Sequence, residues 1–504
     1  MNNGKICVSV CAGTADEMIT KIKLAEELAD VIEVRFDCLL PDQLGVLRSE
    51  ISNLKLEKLL LATFRDTRQG GKNFYTFDER AEFLQNTQGF FAAVDIEEDF
   101  IDYVFDCNNR ILSFHDFNGD SDGLDVIYER LSSTVADVVK IAVQTKDVTD
   151  SLPVWKLLER AKKDNKNIIP IAMGEAGKWT RILGLAHGSY MTYASLNAGQ
   201  ETAAGQITAK DLKEVYRVKE LDLNTKVYGV IGDPVAESLS PYIHNPAFVE
   251  QKINAVFIPL QVKNLDEFIR RMVRRETREV ELNFAGFAVT MPHKQAIIKH
   301  LDGVDPIAEK IGAVNTVNIK NGKLIGYNTD AYGFITPLKE TFSNIEDARV
   351  AVFGAGGAAR ACVFALKQEN ADVTVFARDM KQANLFANEF DVEISEISNL
   401  KFQIAKSVSD NFDIIVNATP LGMKGDLENE TLLTADDLKG VKCVYDLVTS
   451  PTDTPLIAEA KRANVPTLGG IEMLIHQGAK QFEIWTGREA PLDLMRKSVE
   501  EKTK

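Results

Sequence analysis

The chain has 504 residues, 45% of them hydrophobic and 26% charged, which is ordinary globular composition and too much length for one core, so two or three domains are expected. A formal charge of −16 opposes a nucleic-acid partner. No apolar run approaches the roughly 18 residues that a bilayer requires, which argues against a membrane partner.

From the N-terminus, the apolar stretch Ile6 to Gly13 follows a single lysine and superficially resembles a secretion signal. It fits better as the first of a series of β-branched segments. These segments are Ile6–Val10, Val31–Phe36, Leu59–Phe64, Ala92–Glu97, Ile111–Phe117, Val138–Val143, Ile168–Met173 and Met191–Leu196. Amphipathic stretches such as Met18–Ala29, Leu124–Ser132, Val154–Lys163 and Lys210–Leu221 lie between and after them. Strands alternating with helices give a parallel sheet, and eight units in residues 1–222 predict a (β/α)8 barrel, with an open doubly wound sheet as the alternative. The six cysteines, Cys7, Cys11, Cys38, Cys107, Cys362 and Cys443, are scattered without metal-ligand spacing and read as reduced thiols of a cytoplasmic protein.

Polar residues interrupt these strands at every second position. In Glu33-Val34-Arg35-Phe36-Asp37 the three charges leave one face, Thr63 and Arg65 repeat the pattern, Ser113 and His115 follow, and Lys140 stands inside an apolar run. A structural ion-pair network would account for any one of them. Four strands converging on one barrel mouth point instead to catalysis. A lysine desolvated beside Arg35 and Arg65 has its amine freed to attack a ketone, and the imine so formed acidifies the neighbouring carbon. His115 suits the proton transfer.

These segments, with Thr63-Phe-Arg65 followed by Gly70-Gly71, Met173-Gly174, Arg181 and Ala203-Ala-Gly-Gln206-Ile, resemble type I 3-dehydroquinate dehydratase over residues 5–220. The resemblance implies that Lys140 is the Schiff-base lysine and His115 the general acid/base. It also implies that Glu33, Arg35, Arg65, Arg181, Thr202 and Gln206 hold the substrate. Gln69 stands where the family has a glutamate that balances the histidine's charge, so slower turnover is expected.

After Leu221-Asp222-Leu223-Asn224-Thr225 a new strand begins at Val227. Further on, the strand Arg349–Phe353 runs into Gly354-Ala355-Gly356-Gly357-Ala358-Ala359 at the start of a helix, and Asp372–Phe376 is the next strand. This is a dinucleotide fingerprint in its βαβ context. Arg378 and Lys381 at the end of that second strand suit the 2′-phosphate of NADP(H), while Asp379 would suit a ribose hydroxyl instead.

Before that fold lie Glu237-Ser238-Leu-Ser240-Pro, Thr290-Met-Pro-His-Lys294, Gly312-Ala-Val-Asn315-Thr and Gly326-Tyr-Asn-Thr-Asp330. Helix caps and a solvated lysine would explain them singly. Together with Asn417-Ala-Thr419-Pro-Leu-Gly-Met423 and Gly470-Ile-Glu-Met-Leu-Ile-His-Gln477, they resemble shikimate dehydrogenases across 226–485.

The resemblance implies a catalytic pair, Lys294 and Asp330, and substrate contacts from Ser238, Ser240, Thr290, Asn315, Gln477 and Gln481. It also implies nucleotide contacts from Gly354, Ala355, Gly356, Gly357, Ala358, Arg378, Lys381, Asn417, Thr419, Met423 and Gly470. Thr449 replaces a family tyrosine that helps hold the substrate carboxylate.

The expected organisation is α/β throughout: a TIM barrel (1–222), a substrate domain (226–330), a Rossmann NADP domain (331–465) and a C-terminal return to the substrate domain (466–504). The expected function is bifunctional: dehydration of 3-dehydroquinate, then NADPH reduction of 3-dehydroshikimate, with small molecules as the partners. Two alternatives are a quinate/shikimate-catabolic dehydrogenase with a weakened barrel and a non-catalytic sensor. The sensor predicts loss of Lys140, Lys294 or Asp330, all of which are present.

Overall fold

All eight predicted strands of the N-terminal part form in the computed structural model, which describes residues 2, 4–86, 89–101, 109–119, 123–342, 345–396 and 412–503. They are β1 (Lys5–Val10), β2 (Val31–Arg35), β3 (Leu59–Thr63), β4 (Ala93–Glu97), β5 (Arg110–Asp116), β6 (Val138–Gln144), β7 (Asn167–Met173) and β8 (Met191–Ser195). A two-residue ninth strand, β9 (Ile207–Thr208), pairs beside β8 and was not expected. The order is β7-β6-β5-β4-β3-β2-β1-β8-β9, with every pairing parallel. The sheet curls until its ends meet, where the backbone N–H of Tyr190 donates to Ile168 O on β7 at 2.9 Å.

The period-two rule explains what fills this curl. Cys7, Val31, Leu61, Ile111, Val138, Ile169 and Met191 pack together as an apolar floor. Two residues further along the same strands, on the same face, stand Ser9, Glu33, Thr63, Ser113, Lys140 and Tyr193. One more step brings Arg35 and His115. The apolar layer excludes water below, so the polar layers gather at the C-terminal mouth.

Two expectations are corrected. The predicted helix Lys210–Leu221 forms only one π-helical turn, Asp211–Val215, because Arg217 adopts a positive φ of 49° and reverses the chain. The cysteines are not all thiols. Parallel pairing brings the exits of β1 and β2 together, and Cys11 is disulfide-bonded to Cys38 with Cα atoms 5.5 Å apart. A spacing of 27 residues hides that proximity. Cys7, Cys362 and Cys443 are free and buried, and Cys107 lies outside the described residues.

By contacts the chain divides into two units, Met1–Pro241 with Asn254–Phe284, and Tyr242–Ile253 with Ala285–Lys504. The first unit therefore contains, besides the barrel, the parallel pair β10 (Lys226–Gly232) and β11 (Ala255–Gln261). Asp147 ties these parts together. Its carboxylate caps the turn before the helix Leu152–Lys163 and also accepts from the backbone N–H groups of Lys263 (2.6 Å) and Asn264 (3.2 Å).

The second unit holds β12 (Phe284–Val289), β13 (Gly303–Val304), β14 (Thr316–Lys320) and β15 (Lys323–Tyr327). Its other sheet is β16 (Arg349–Phe353), β17 (Asp372–Ala377), β18 (Glu393–Glu396), β19 (Ile414–Asn417), β20 (Cys443–Asp446) and β21 (Thr467–Gly469). That sheet is parallel in the order β18-β17-β16-β19-β20-β21, a doubly wound arrangement. No described helix is long and apolar enough to cross a membrane.

Candidate active sites

In the first unit, one cavity is lined by Glu33, Arg35, Arg65, His115, Lys140, Arg181, Thr202 and Gln206, together with Gln69 and Tyr193. All eight residues expected from the barrel sequence thus meet at one place.

Lys140 is buried, and its Nζ lies 2.9 Å from Asp95 Oδ2 and 4.1 Å from the centre of the Tyr193 ring. The sequence expectation of an amine pressed only by cations is corrected, since Asp95 on β4 supplies a carboxylate. The same carboxylate bonds Arg65 (2.9 Å) and accepts from Ser113 Oγ (2.6 Å). Burial alone would raise the Asp95 carboxyl, but Arg65 and then Lys140 outweigh it and hold it far below the usual carboxylate range. Arg65 also reaches Glu97 (3.2 Å), which Arg80 holds from behind (2.7 Å). Removing one member of so buried a network leaves a charge uncompensated, at a cost of about 3–5 kcal/mol.

His115 is half-buried. Gln69 Oε1 accepts from its backbone N–H at 2.9 Å and lies 3.2 Å from Nδ1. That geometry favours the tautomer with the proton on Nδ1, leaving Nε2 to act as a base. Burial, then Arg65 and Lys140, push the imidazole well below its usual range, with Asp95 opposing.

Glu33 is fixed on both sides, accepting from Ser9 Oγ and from Thr63 Oγ1 (2.9 Å), and Thr202 Oγ1 donates to Ser9 Oγ (3.0 Å). Thr202 and Gln206 bond each other, the Thr202 N–H donating to Gln206 Oε1 at 2.8 Å. Arg181 differs from the other arginines. It is 2% exposed and touches only the carbonyls of Tyr193 (3.4 Å) and Ala204 (3.5 Å), with Nε unbonded and no carboxylate bonded to it among the described residues. Desolvation pulls its guanidinium down to about 10. A buried cation of this kind is a ready receptor for an anionic ligand.

In the second unit Lys294 Nζ bonds Asp330 Oδ2 at 2.5 Å. Asn315 Nδ2 donates to Asp330 Oδ1 (2.8 Å) and Thr329 Oγ1 (2.9 Å), and lies 3.3 Å from Gln477 Oε1. Gln481 supports this loop from below, its Nε2 donating to Asn315 O (3.2 Å) and Thr316 Oγ1 (3.0 Å). Thr290 O accepts from the His293 N–H at 2.9 Å, closing the turn that leads into Lys294. Ser238 and Ser240 belong by contacts to the first unit, where the Ser240 N–H donates to Ser238 Oγ (3.3 Å).

The nucleotide fingerprint is built as its chemistry requires. Gly354 has φ +113°, and a Cβ there would meet Ala418 O at 2.9 Å. The helix Gly357–Gln368 then opens with Gly356 as its N-cap, presenting free N–H groups suited to a pyrophosphate. A Cβ on Gly357 would touch the Lys294 stem at 3.4 Å, so the loop and the lysine are neighbours. Arg378 and Lys381 stand exposed just beyond β17, and Asp379 Oδ1 accepts from the Lys381 N–H (3.0 Å). These residues fit a 2′-phosphorylated dinucleotide.

Asn417 is held by Asp446 (2.9 Å) and by Leu421 O (3.1 Å), and in turn accepts from Thr419 N–H (3.0 Å) and Oγ1 (2.7 Å), which sets the loop that ends at Met423. Gly470 starts the helix Gly470–Thr486, where a Cβ would collide with Leu447 O at 2.4 Å.

Comparison with known proteins gives the family of each half. Residues 6–222 match type I 3-dehydroquinase, 230–317 the shikimate dehydrogenase substrate binding domain, 337–422 shikimate / quinate 5-dehydrogenase and 470–500 the shikimate 5′-dehydrogenase C-terminal domain. A chloroplastic bifunctional 3-dehydroquinate dehydratase/shikimate dehydrogenase of Arabidopsis thaliana is 32% identical over 98% of this chain and 84% of its own length. An NADP(+) shikimate dehydrogenase of Methanocaldococcus jannaschii is 38% identical over 56% of this chain and 99% of its own. A crystal structure of a shikimate dehydrogenase in complex with NADP+ superposes with a TM-score of 0.51 at 36% identity, covering 56% of this chain and 98% of that one.

Proposed function

The chain belongs to the family of bifunctional 3-dehydroquinate dehydratase/shikimate dehydrogenases, and from the barrel geometry we propose that its dehydration step runs through an imine on Lys140. It converts 3-dehydroquinate to 3-dehydroshikimate and reduces that ketone to shikimate with NADP(H).

The observation that carries the Lys140 proposal is the shared cavity, where an amine, an imidazole and an unpaired buried guanidinium meet. Arg181 takes the substrate carboxylate. Glu33, Arg35, Arg65, Thr202 and Gln206 position the ring and its hydroxyls. Lys140 adds to the ketone once its extra proton has left, and water departs as the imine forms. His115 then removes a proton from the carbon beside the imine and delivers it to the hydroxyl that leaves one carbon further on. Hydrolysis of the imine restores Lys140, so the net change is the loss of one water.

In the second half Gly354, Ala355, Gly356, Gly357, Ala358, Asn417, Thr419, Met423 and Gly470 would hold the dinucleotide, with Arg378 and Lys381 on its 2′-phosphate. Bound NADPH supplies the hydride. Lys294 donates a proton to the developing alkoxide, Asp330 balances the lysine's charge, and Asn315 holds Asp330 in place. Thr290, Gln477 and Gln481 complete the ring and carboxylate contacts. A cytoplasmic location belongs to the same proposal; the free thiols of Cys7, Cys362 and Cys443 support it, and the Cys11–Cys38 bond counts against it.

Borohydride added during turnover of 3-dehydroquinate tests the imine. Ligand mass is expected on Lys140, and mass on a different lysine, or none, refutes the mechanism.

A further inference from the structure

Asp37, the last of the three alternating charges that begin at Glu33, is a heavily bonded carboxylate at the barrel mouth. It is fully buried, 0% exposed. Its Oδ1 accepts from Arg35 Nε (2.8 Å) and the Arg65 backbone N–H (3.3 Å), and its Oδ2 accepts from Arg35 Nη2 (2.9 Å) and the Lys72 backbone N–H (3.0 Å). Its backbone carbonyl takes the N–H of Asn73 at 3.0 Å.

Arg65 and Lys72 are the two ends of one loop, and Gln69, the partner of His115, lies within it. The loop is drawn tight. Gly71 N–H donates to Asp66 O (2.8 Å), and a Cβ on Gly71 would lie 2.2 Å from Arg65 O. Arg35 Nη2 also reaches Gly70 O at 3.3 Å. One carboxylate therefore fixes the direction of Arg35 and the closure of the loop that orients the imidazole.

We propose that Asp37 is a positioning residue for dehydration, clamping Arg35 toward the substrate and the 65–72 loop toward His115. This rests on the reading that Arg35 and His115 act on 3-dehydroquinate. The bidentate fork to Arg35 fixes a plane that a single bond would leave free, and errors of about 1 Å in such a site cost on the order of a hundredfold in rate.

The test is Asp37→Asn in the full chain. The amide keeps the size but turns one of the two acceptor oxygens into a donor facing N–H groups. The expected result is a KM for 3-dehydroquinate raised at least tenfold and a dehydratase kcat lowered at least fivefold, with the shikimate dehydrogenase constants of the same chain unchanged. In an Arg35→Ala background the substitution should add less than twofold to KM, because the residue it acts through is already gone. Dehydratase constants within twofold of wild type, or a KM effect that multiplies fully with Arg35→Ala, overturns the clamp. If thermal unfolding shows that Asp37→Asn does not fold, Asp37→Glu keeps the charge but displaces it by one methylene. A raised KM in Asp37→Glu supports the clamp, and wild-type constants overturn it. Borohydride labelling of wild-type Lys140 separates the two failures: without labelling the imine reading falls and takes the clamp with it, while labelling together with wild-type constants in the variant removes the clamp alone.

Discussion

Gln69→Glu places a charge against the catalytic imidazole and tests the electrostatics of the barrel site. Gln69 Oε1 is 3.2 Å from His115 Nδ1, and burial with Arg65 and Lys140 keeps that ring neutral, well below its usual range. A neutral ring is a competent base but holds poorly the proton it must carry to the leaving hydroxyl. Hydrogen bonds to charged groups contribute about 1.5–3 kcal/mol against about 0.5–1.5 kcal/mol for neutral ones, so the carboxylate gains about 1–1.5 kcal/mol in the protonated state. The bare attraction at 3.2 Å is roughly 5 kcal/mol at an effective dielectric of about 20, an upper limit that desolvation of the new carboxylate reduces. The expected outcome is a dehydratase kcat roughly five- to tenfold higher at neutral pH. A new anion raises the imidazole, so the acid limb of the kcat–pH profile should move to higher pH. The ultraviolet absorbance of the conjugated ketone product follows both. An unchanged or slower rate, or an acid limb that stays in place, refutes the reasoning.

Arg378→Ala should raise the KM for NADPH far more than that for NADH, and equal effects in steady-state assays would remove the guanidinium from the 2′-phosphate. His244 is held down to about 3 by burial, against a hydrogen bond to Gln481. In the unfolded chain its ring titrates near 6.5, so below that pH the unfolded state binds a proton that the folded state refuses, and stability falls as pH drops through this window. From pH ~6.5 to ~5 the loss is about 2 kcal/mol, and His244→Asn should flatten that slope in denaturant titrations; an identical slope in both proteins counts against it. The Cys11–Cys38 bond spans 27 residues, for which chain entropy gives about 3.5 kcal/mol. Cys38→Ser should therefore lower unfolding stability by that order without reductant, and equal midpoints would mean that the bond does not form.

Sequence period carried the barrel a long way. Polar residues at every second position along β2, β3 and β5 and just beyond them mark the mouth in the sequence, because a strand's alternation is rigid. The same signal stood unread on β4, where Asp95 and Glu97 alternate within Ala93–Glu97. Parallel pairing of Asp95 with Thr63 on β3 and of Glu97 with Ser113 on β5 turns both toward the polar layers of the barrel. The disulfide and the Asp37 clamp were illegible for another reason, since both join segments that meet only when the sheet curls. In the second half the βα turn at Gly354 was readable because backbone conformation is local. The hairpin between β14 and β15 was missed, although Asn321-Gly322, at φ +54° and +78°, is the two-residue turn that such a pair demands.

Asp147 bears on how this gene product tolerates being cut. One carboxylate caps a barrel turn and also takes two amides from residues 263 and 264, while Lys156 pairs with Glu279 at 2.5 Å and Arg217 reaches Ala255 O at 3.1 Å. A cut at residue 223, where the homology domains part, lies between the two partners of every one of these bonds, so separating the fragments breaks all of them. Each fragment would be left with polar groups that have lost these partners, so a split-gene version is better designed to let its two products reassociate than to expect either to behave as a free-standing catalyst.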